Sequence, residues 1–152
     1  MSVKNLLEAL FSQPGGARLR QDIVGCARAV LQNPQEPLIP DAAFSAVGMD
    51  PKNPEIPDHC VMEKELYYFE KCAQAVRSFH ENNLSQAEDL LMKAKWDFDH
   101  WALAHYLLGL LYFERRDFKA ALDQFNSACM NEPYNGRPME IMRELTYTVL
   151  MG

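Results

Sequence analysis

Two consecutive segments of the chain share one pattern of small and large residues, and this spacing limits the fold more than any other feature. The segment from Ala102 to Asn135 holds His105-Tyr106-Leu107-Leu108-Gly109-Leu110-Leu111-Tyr112, then Ala121, Phe125, Ala128 and Pro133. Moved back by one period of about 34 residues, it aligns with Tyr68–Trp101. Ala75 then matches Gly109, Leu84 matches Phe118, Ala87 matches Ala121, Leu91 matches Phe125 and Ala94 matches Ala128. The first copy departs at Gln74, Ser78 and Asp99, where the second has Leu108, Tyr112 and Pro133. The second unit reads as two helices, Ala102–Arg115 and Phe118–Asn131, with Asp117 placed to cap the latter. The first reads as helices over Val61–Asn82 and Ser85–Asp97. Gly109 and Ala121 are small enough for two backbones to approach. Leu108, Tyr112, Leu122 and Phe125 fill the surrounding space, and Pro133 ends the unit. A lone unit of this kind cannot bury its apolar face and needs neighbours stacked on it.

In these residues the chain resembles the tetratricopeptide repeat family over about residues 68–151. The resemblance implies an all-α fold: a short stack of helical hairpins with repeats at 68–101 and 102–135 and a closing helix at 138–151. It also implies a concave face lined by the first helix of each unit. The inward row is then Phe69, Cys72, Val76, Phe79 and His80 in the first unit, and Leu103, Tyr106, Leu110, Phe113 and Glu114 in the second. In the closing helix it is Arg137, Glu140, Glu144, Tyr147 and Thr148. The candidate partner groove is accordingly Phe69, Val76, Phe79, Leu103, Tyr106, Leu110, Phe113, Arg137 and Tyr147. Members of the family that grip a C-terminal carboxylate use Lys and Asn at fixed groove places. Here those places hold Cys72, Val76, Leu107, Arg137 and Ile141, of which only Arg137 is basic, so an extended apolar peptide is the expected ligand. The size, acidity and apolar groove also look like the small bacterial chaperones of type III secretion translocators.

The first half is organised differently. Val3, Leu6, Leu7, Leu10 and Phe11 form a helical apolar stripe, with Ser2 as its cap. Pro14-Gly15-Gly16 breaks it, and a second helix runs over Ala17–Gln32 to Asn33-Pro34. Residues 1–32 therefore read as an N-terminal helical hairpin. Residues 33–60 carry most of the chain's nine prolines, which disfavours helix and central strand alike. This segment reads as a linker packed on the surface, with one helical turn at Asp41–Val47 capped by Asp41. Its apolar residues (Leu38, Ile39, Phe44, Val47, Met49 and Ile56) want cover. Residues 61–152 form the repeat-bearing domain.

Composition excludes several roles. Apolar residues make up 48% of the chain, enough for a core. No run of about 18 apolar residues exists, so no membrane insertion is expected, and Glu8 argues against a secretory signal. The net charge is −6, and the basic residues are dispersed. The tightest pair, Arg115-Arg116, suits a helix C-terminus; nucleic acid, which needs a basic footprint, is not an expected partner. Four scattered cysteines read as free thiols in a reducing, cytoplasmic setting. His59, Cys60, Cys72 and His80 lack metal-ligand spacing. His105 reads as a packed helix residue. No phosphate loop, nucleophile elbow or carboxylate pair stands out, so neither enzyme activity nor a cofactor is expected.

The expected function is a non-catalytic adaptor or chaperone holding an apolar protein segment in the groove. The alternative is an assembly subunit in which the Val3–Phe11 stripe drives oligomerisation, a homodimer included. In that case the N-terminal hairpin, or the segment around Pro37-Leu38-Ile39-Pro40, covers the groove. The residues alone leave both open.

Overall fold

A computed structural model of the chain describes residues 2–12, 18–56, 63–132 and 136–152. Among these the fold is all helical, with eight helices and no strand. They are α1 (Val3–Ser12), α2 (Leu19–Gln32), α3 (Asp41–Ser45), α4 (Glu63–His80), α5 (Leu84–Asp97), α6 (Ala102–Glu114), α7 (Phe118–Asn131) and α8 (Arg137–Met151). The expected breaks at Pro14-Gly15-Gly16 and Pro133, and the residues His59 and Cys60, lie outside the described residues.

The two hairpins α4–α5 and α6–α7 carry the period seen in the sequence. Each first helix ends in the same device. The N–H of Asn83 donates to the Ser78 carbonyl and that of Asn82 to Phe79; one period later, Asp117 donates to Tyr112 and Arg116 to Phe113. This is the paired-bond C-cap that requires one left-handed residue. Asn82 and Arg116 supply it, both at φ 64°. The next residue then caps the second helix: Asn83 accepts from the Gln86 N–H, and Asp117, as expected, from Ala120. One tight turn thus satisfies the orphan groups of two helix ends.

Close packing inside the second hairpin depends on Gly109. A Cβ built there would lie 2.4 Å from Cε1 of Phe125, whose ring is fully buried. The α6 sequence is apolar nearly all round, and a helix of that kind must be covered on every side. It packs against α4, α5 and α7, and ten of its residues are buried. One of its unpaired N-terminal donors, the Ala104 N–H, goes to the buried Tyr68 hydroxyl on α4 at 2.8 Å. His105 is buried too, bridging the Gln124 side chain and the Asp99 carbonyl.

The stack continues through α7 onto α8, and α8 packs against α2. The α1 stripe folds inward: Val3, Leu7 and Leu10 are buried, and α1 touches α2, α3 and α8. Ser2 caps α1 as expected, its hydroxyl accepting from the Asn5 N–H. A stripe used up in this way is not free to drive oligomerisation, which corrects that part of the sequence expectation. The proline-rich segment has an outer side, with Pro34, Gln35, Pro37, Ser45 and Lys52 exposed, and it sends Leu38, Ile39, Phe44 and Met49 into the core. Asp41 is the first residue of α3 and makes no capping bond; its carboxylate lies 3.5 Å from the His80 ring.

Candidate functional site

The candidate site is the face on which α4 and α6 carry the expected inward residues. Its centre is filled by the chain itself. Pro37 and Pro40 flank Leu38 and Ile39, an extended path whose two intervening N–H groups have no helical partner. Both donate to one carboxylate oxygen of Glu114, at 2.8 Å and 3.0 Å. Beyond Pro40 the short helix α3 lies across α6, and the Tyr106 hydroxyl donates to the Ala43 carbonyl at 2.8 Å. Phe44 meets Phe79 edge-on, with ring centroids 5.0 Å apart.

The expected groove residues separate into three groups under this cover. Val76, Tyr106, Leu110 and Phe113 are buried, the last three at 0% exposure. Removing an aromatic side chain of this kind from water is worth about 1.5–3 kcal/mol, and burial also pushes the Tyr106 phenol well above its ordinary pKa. Phe69, Phe79 and Leu103 are half-buried. Phe69 stacks near Trp101 and Tyr68 and, with Leu103, lines an open cleft of about 530 Å³ that also touches Val47, Glu55 and Met139. The third group is on α8. Arg137 sits half-buried at its first position, whereas Tyr147 is 53% exposed. Tyr147 belongs to a different surface, a cleft between α2 and α8.

Three charged residues hold the N-terminal half together and onto the stack. Arg116 leaves its turn and donates to the carbonyls of Val30, Asn33 and Glu36. The Val30 carbonyl belongs to the last turn of α2, where carbonyls lack helical partners and favour a cation. Arg116 was expected to serve its own helix end; it serves that of α2 instead. Glu36 in turn accepts from the Val3 N–H at 2.8 Å, at the N-terminus of α1. Glu114 is the third, holding Leu38 and Ile39. Its signal was present in the sequence as an acidic residue in an otherwise apolar inward row. For Arg116 the residue type alone carried no such signal; its left-handed φ of 64° is seen only in the fold.

The thiols nearest the core are poor nucleophiles: burial pushes Cys26 up to about 12 and Cys72 higher still. Among the described residues no three His, Cys, Asp or Glu side chains gather as a metal set, and no helix is long and apolar enough to cross a membrane. Comparison of the chain with protein-family models, with curated proteins and with solved structures gives no match.

Proposed function

We propose that this chain is a non-catalytic interaction subunit: a tetratricopeptide-type stack that fills its own concave face and joins a larger assembly through its remaining surface. The observation that carries this reading is the construction of the cover. Leu38, Ile39, Ala43 and Phe44 are buried, and bonds to Glu114 and Tyr106 hold the segment in place. A loosely resting segment would not satisfy its backbone donors so completely. The repeated turn and cap geometry supports the family likeness, and the buried, protonated thiols support a role without chemistry.

A second reading, an adaptor or chaperone for an apolar peptide, is favoured by one feature. The cleft beside Phe69 and Leu103 leaves part of the expected groove open. In that reading the covering segment is an internal ligand that a partner displaces, and affinity is reduced by the cost of displacement.

A labelled synthetic peptide spanning residues 36–47 distinguishes the two. If the segment is core, the peptide does not bind the intact protein, and Phe44→Ser lowers the unfolding midpoint of the whole chain. Saturable binding of that peptide, with a folded and undiminished Phe44→Ser variant, overturns the filled-groove reading in favour of the adaptor.

A further inference from the structure

The outer face of α2 and α8 is an apolar feature that the fold leaves unused. Five exposed large apolar side chains gather on these two helices: Val24 and Leu31 on α2, and Tyr147, Leu150 and Met151 on α8. Between them runs a cleft of about 610 Å³, floored by Leu19 and Ile23 and flanked by Arg20 and Glu144. The aromatic, methionine and arginine content is that of an interface core, and exposed contiguous apolar surface of this kind marks an interaction site.

The charges say what fits. The outward side of α2 is basic, with Arg18, Arg20 and Arg28 exposed, whereas the outward side of α8 carries Glu140 and Glu144, with Arg143 beside them. Among the described residues Arg20 and Arg28 enter no ion pair, and Glu144 meets only its neighbour Arg143, at 3.8 Å. A surface that is basic on one helix and carries an excess of carboxylate on the adjacent one complements itself. Turned through a two-fold axis, the α2 of one copy meets the α8 of the other, and the contact occurs twice. The chain as a whole carries a net charge of −6, so two copies repel over most of their surface. This face offers paired opposite charges around an apolar centre.

We propose that the α2–α8 face is a two-fold interface between copies of this chain, with Val24, Tyr147 and Met151 at its centre and Arg20 facing the partner's Glu144 across its rim. This rests on the reading of the chain as an assembly subunit and names the surface and the partner.

The test is sedimentation velocity of the full chain over a wide concentration range. The expected result is a monomer–dimer equilibrium. Arg20→Glu and Glu144→Arg should each weaken it at least about tenfold, in line with close charge pairs at interfaces. Combining the two should restore it, because the swap recreates the pair with reversed sign. Tyr147→Asp should abolish the dimer. Circular dichroism and melting of each variant establish that it is folded; these side chains are exposed, so no loss of fold is expected. A single-copy mass at every concentration overturns the proposal, as does a dimer indifferent to all three substitutions or a double variant no better than either single one. Such failures leave the filled concave face untouched, since that reading stands or falls on the peptide of residues 36–47.

Discussion

The hairpins α4–α5 and α6–α7 share a frame and differ in what fills it. Both turns use the same two backbone bonds, a left-handed residue and a side-chain cap at equivalent positions. The side chains diverge. Where α6 has Gly109, Tyr106, Tyr112 and Glu114, α4 has Ala75, Cys72, Ser78 and His80. The reason is position. The α6 helix is at the middle of the stack and lies under α3, so nearly every residue meets another element. The α4 helix is buried mainly along one side. Turn and cap chemistry sets the hairpin, and the surroundings decide which side chains it needs.

The widest gap between the two units should appear at Tyr106 and its counterpart Cys72, both fully buried. Tyr106→Ala removes a core aromatic and unpairs the Ala43 carbonyl, for a cost of about 3–5 kcal/mol. Cys72→Ala removes a single heavy atom and should cost about 1 kcal/mol. Urea unfolding with an unchanged m-value measures both. Similar losses at the two sites would show that the cover over α6 contributes little.

Next in size is the comparison of Glu114 with His80, the equivalent residues that hold the covering segment. Glu114→Ala strands the part-buried N–H groups of Leu38 and Ile39, for a loss of about 3 kcal/mol. His80→Ala breaks only a half-exposed contact with Asp41 and should change stability by less than about 1 kcal/mol. Hydrogen exchange at Leu38 and Ile39 should accelerate in the first variant and stay unchanged in the second.

This contrast also marks how far the residues alone could be read. The helices, the Asp117 cap and the close packing at Gly109 follow from local spacing, and all are found in the fold. The inward row was legible as apolar, yet Tyr106, Leu110 and Phe113 read equally well as an open groove or as core. Only a partner far away in sequence settles that, and Leu38 to Phe44 is such a partner. Prolines made this stretch look like surface linker because they forbid helix and sheet; they do not forbid burial when a carboxylate takes the remaining N–H groups. The α1 stripe was read correctly as apolar, but its periodicity carries no information about what it faces.

A smaller effect concerns the Gly109–Phe125 contact. Gly109→Ala drives a methyl into the ring and should cost about 1–3 kcal/mol. The first unit holds Ala75 and Leu91 at these places, a larger residue against a smaller one. Adding Phe125→Leu to Gly109→Ala copies that pair into the second unit and should recover part of the loss, a coupling between touching residues that a double-mutant cycle reads directly. Strict additivity would mean that the two hairpins do not exchange parts.

The smallest difference is electrostatic. Tyr112, which replaces Ser78 of the first unit, donates to Glu88 at 2.7 Å, and Arg115 donates to the other carboxylate oxygen at 2.9 Å. The Arg115 bond first, then that of Tyr112, holds the Glu88 carboxyl below its ordinary pKa of 4.5. A carboxyl with a lowered folded-state pKa stabilises the fold fully above its unfolded value, and that contribution disappears as the pH falls through the lowered one. Tyr112→Ser copies the first unit and Arg115→Ala removes the larger partner. Near neutral pH each should destabilise by about 0.5–1 kcal/mol, since all three groups are partly exposed. Against acid, the gap between Arg115→Ala and the parent should narrow below pH 4.5 and close once Glu88 is protonated in the folded chain. For Tyr112→Ser the gap should narrow less, because the lost ring packing does not titrate. Parallel curves for Arg115→Ala and the parent down to the acid limit would remove Glu88 from the α5–α6 contact and leave packing as the only difference between the hairpins.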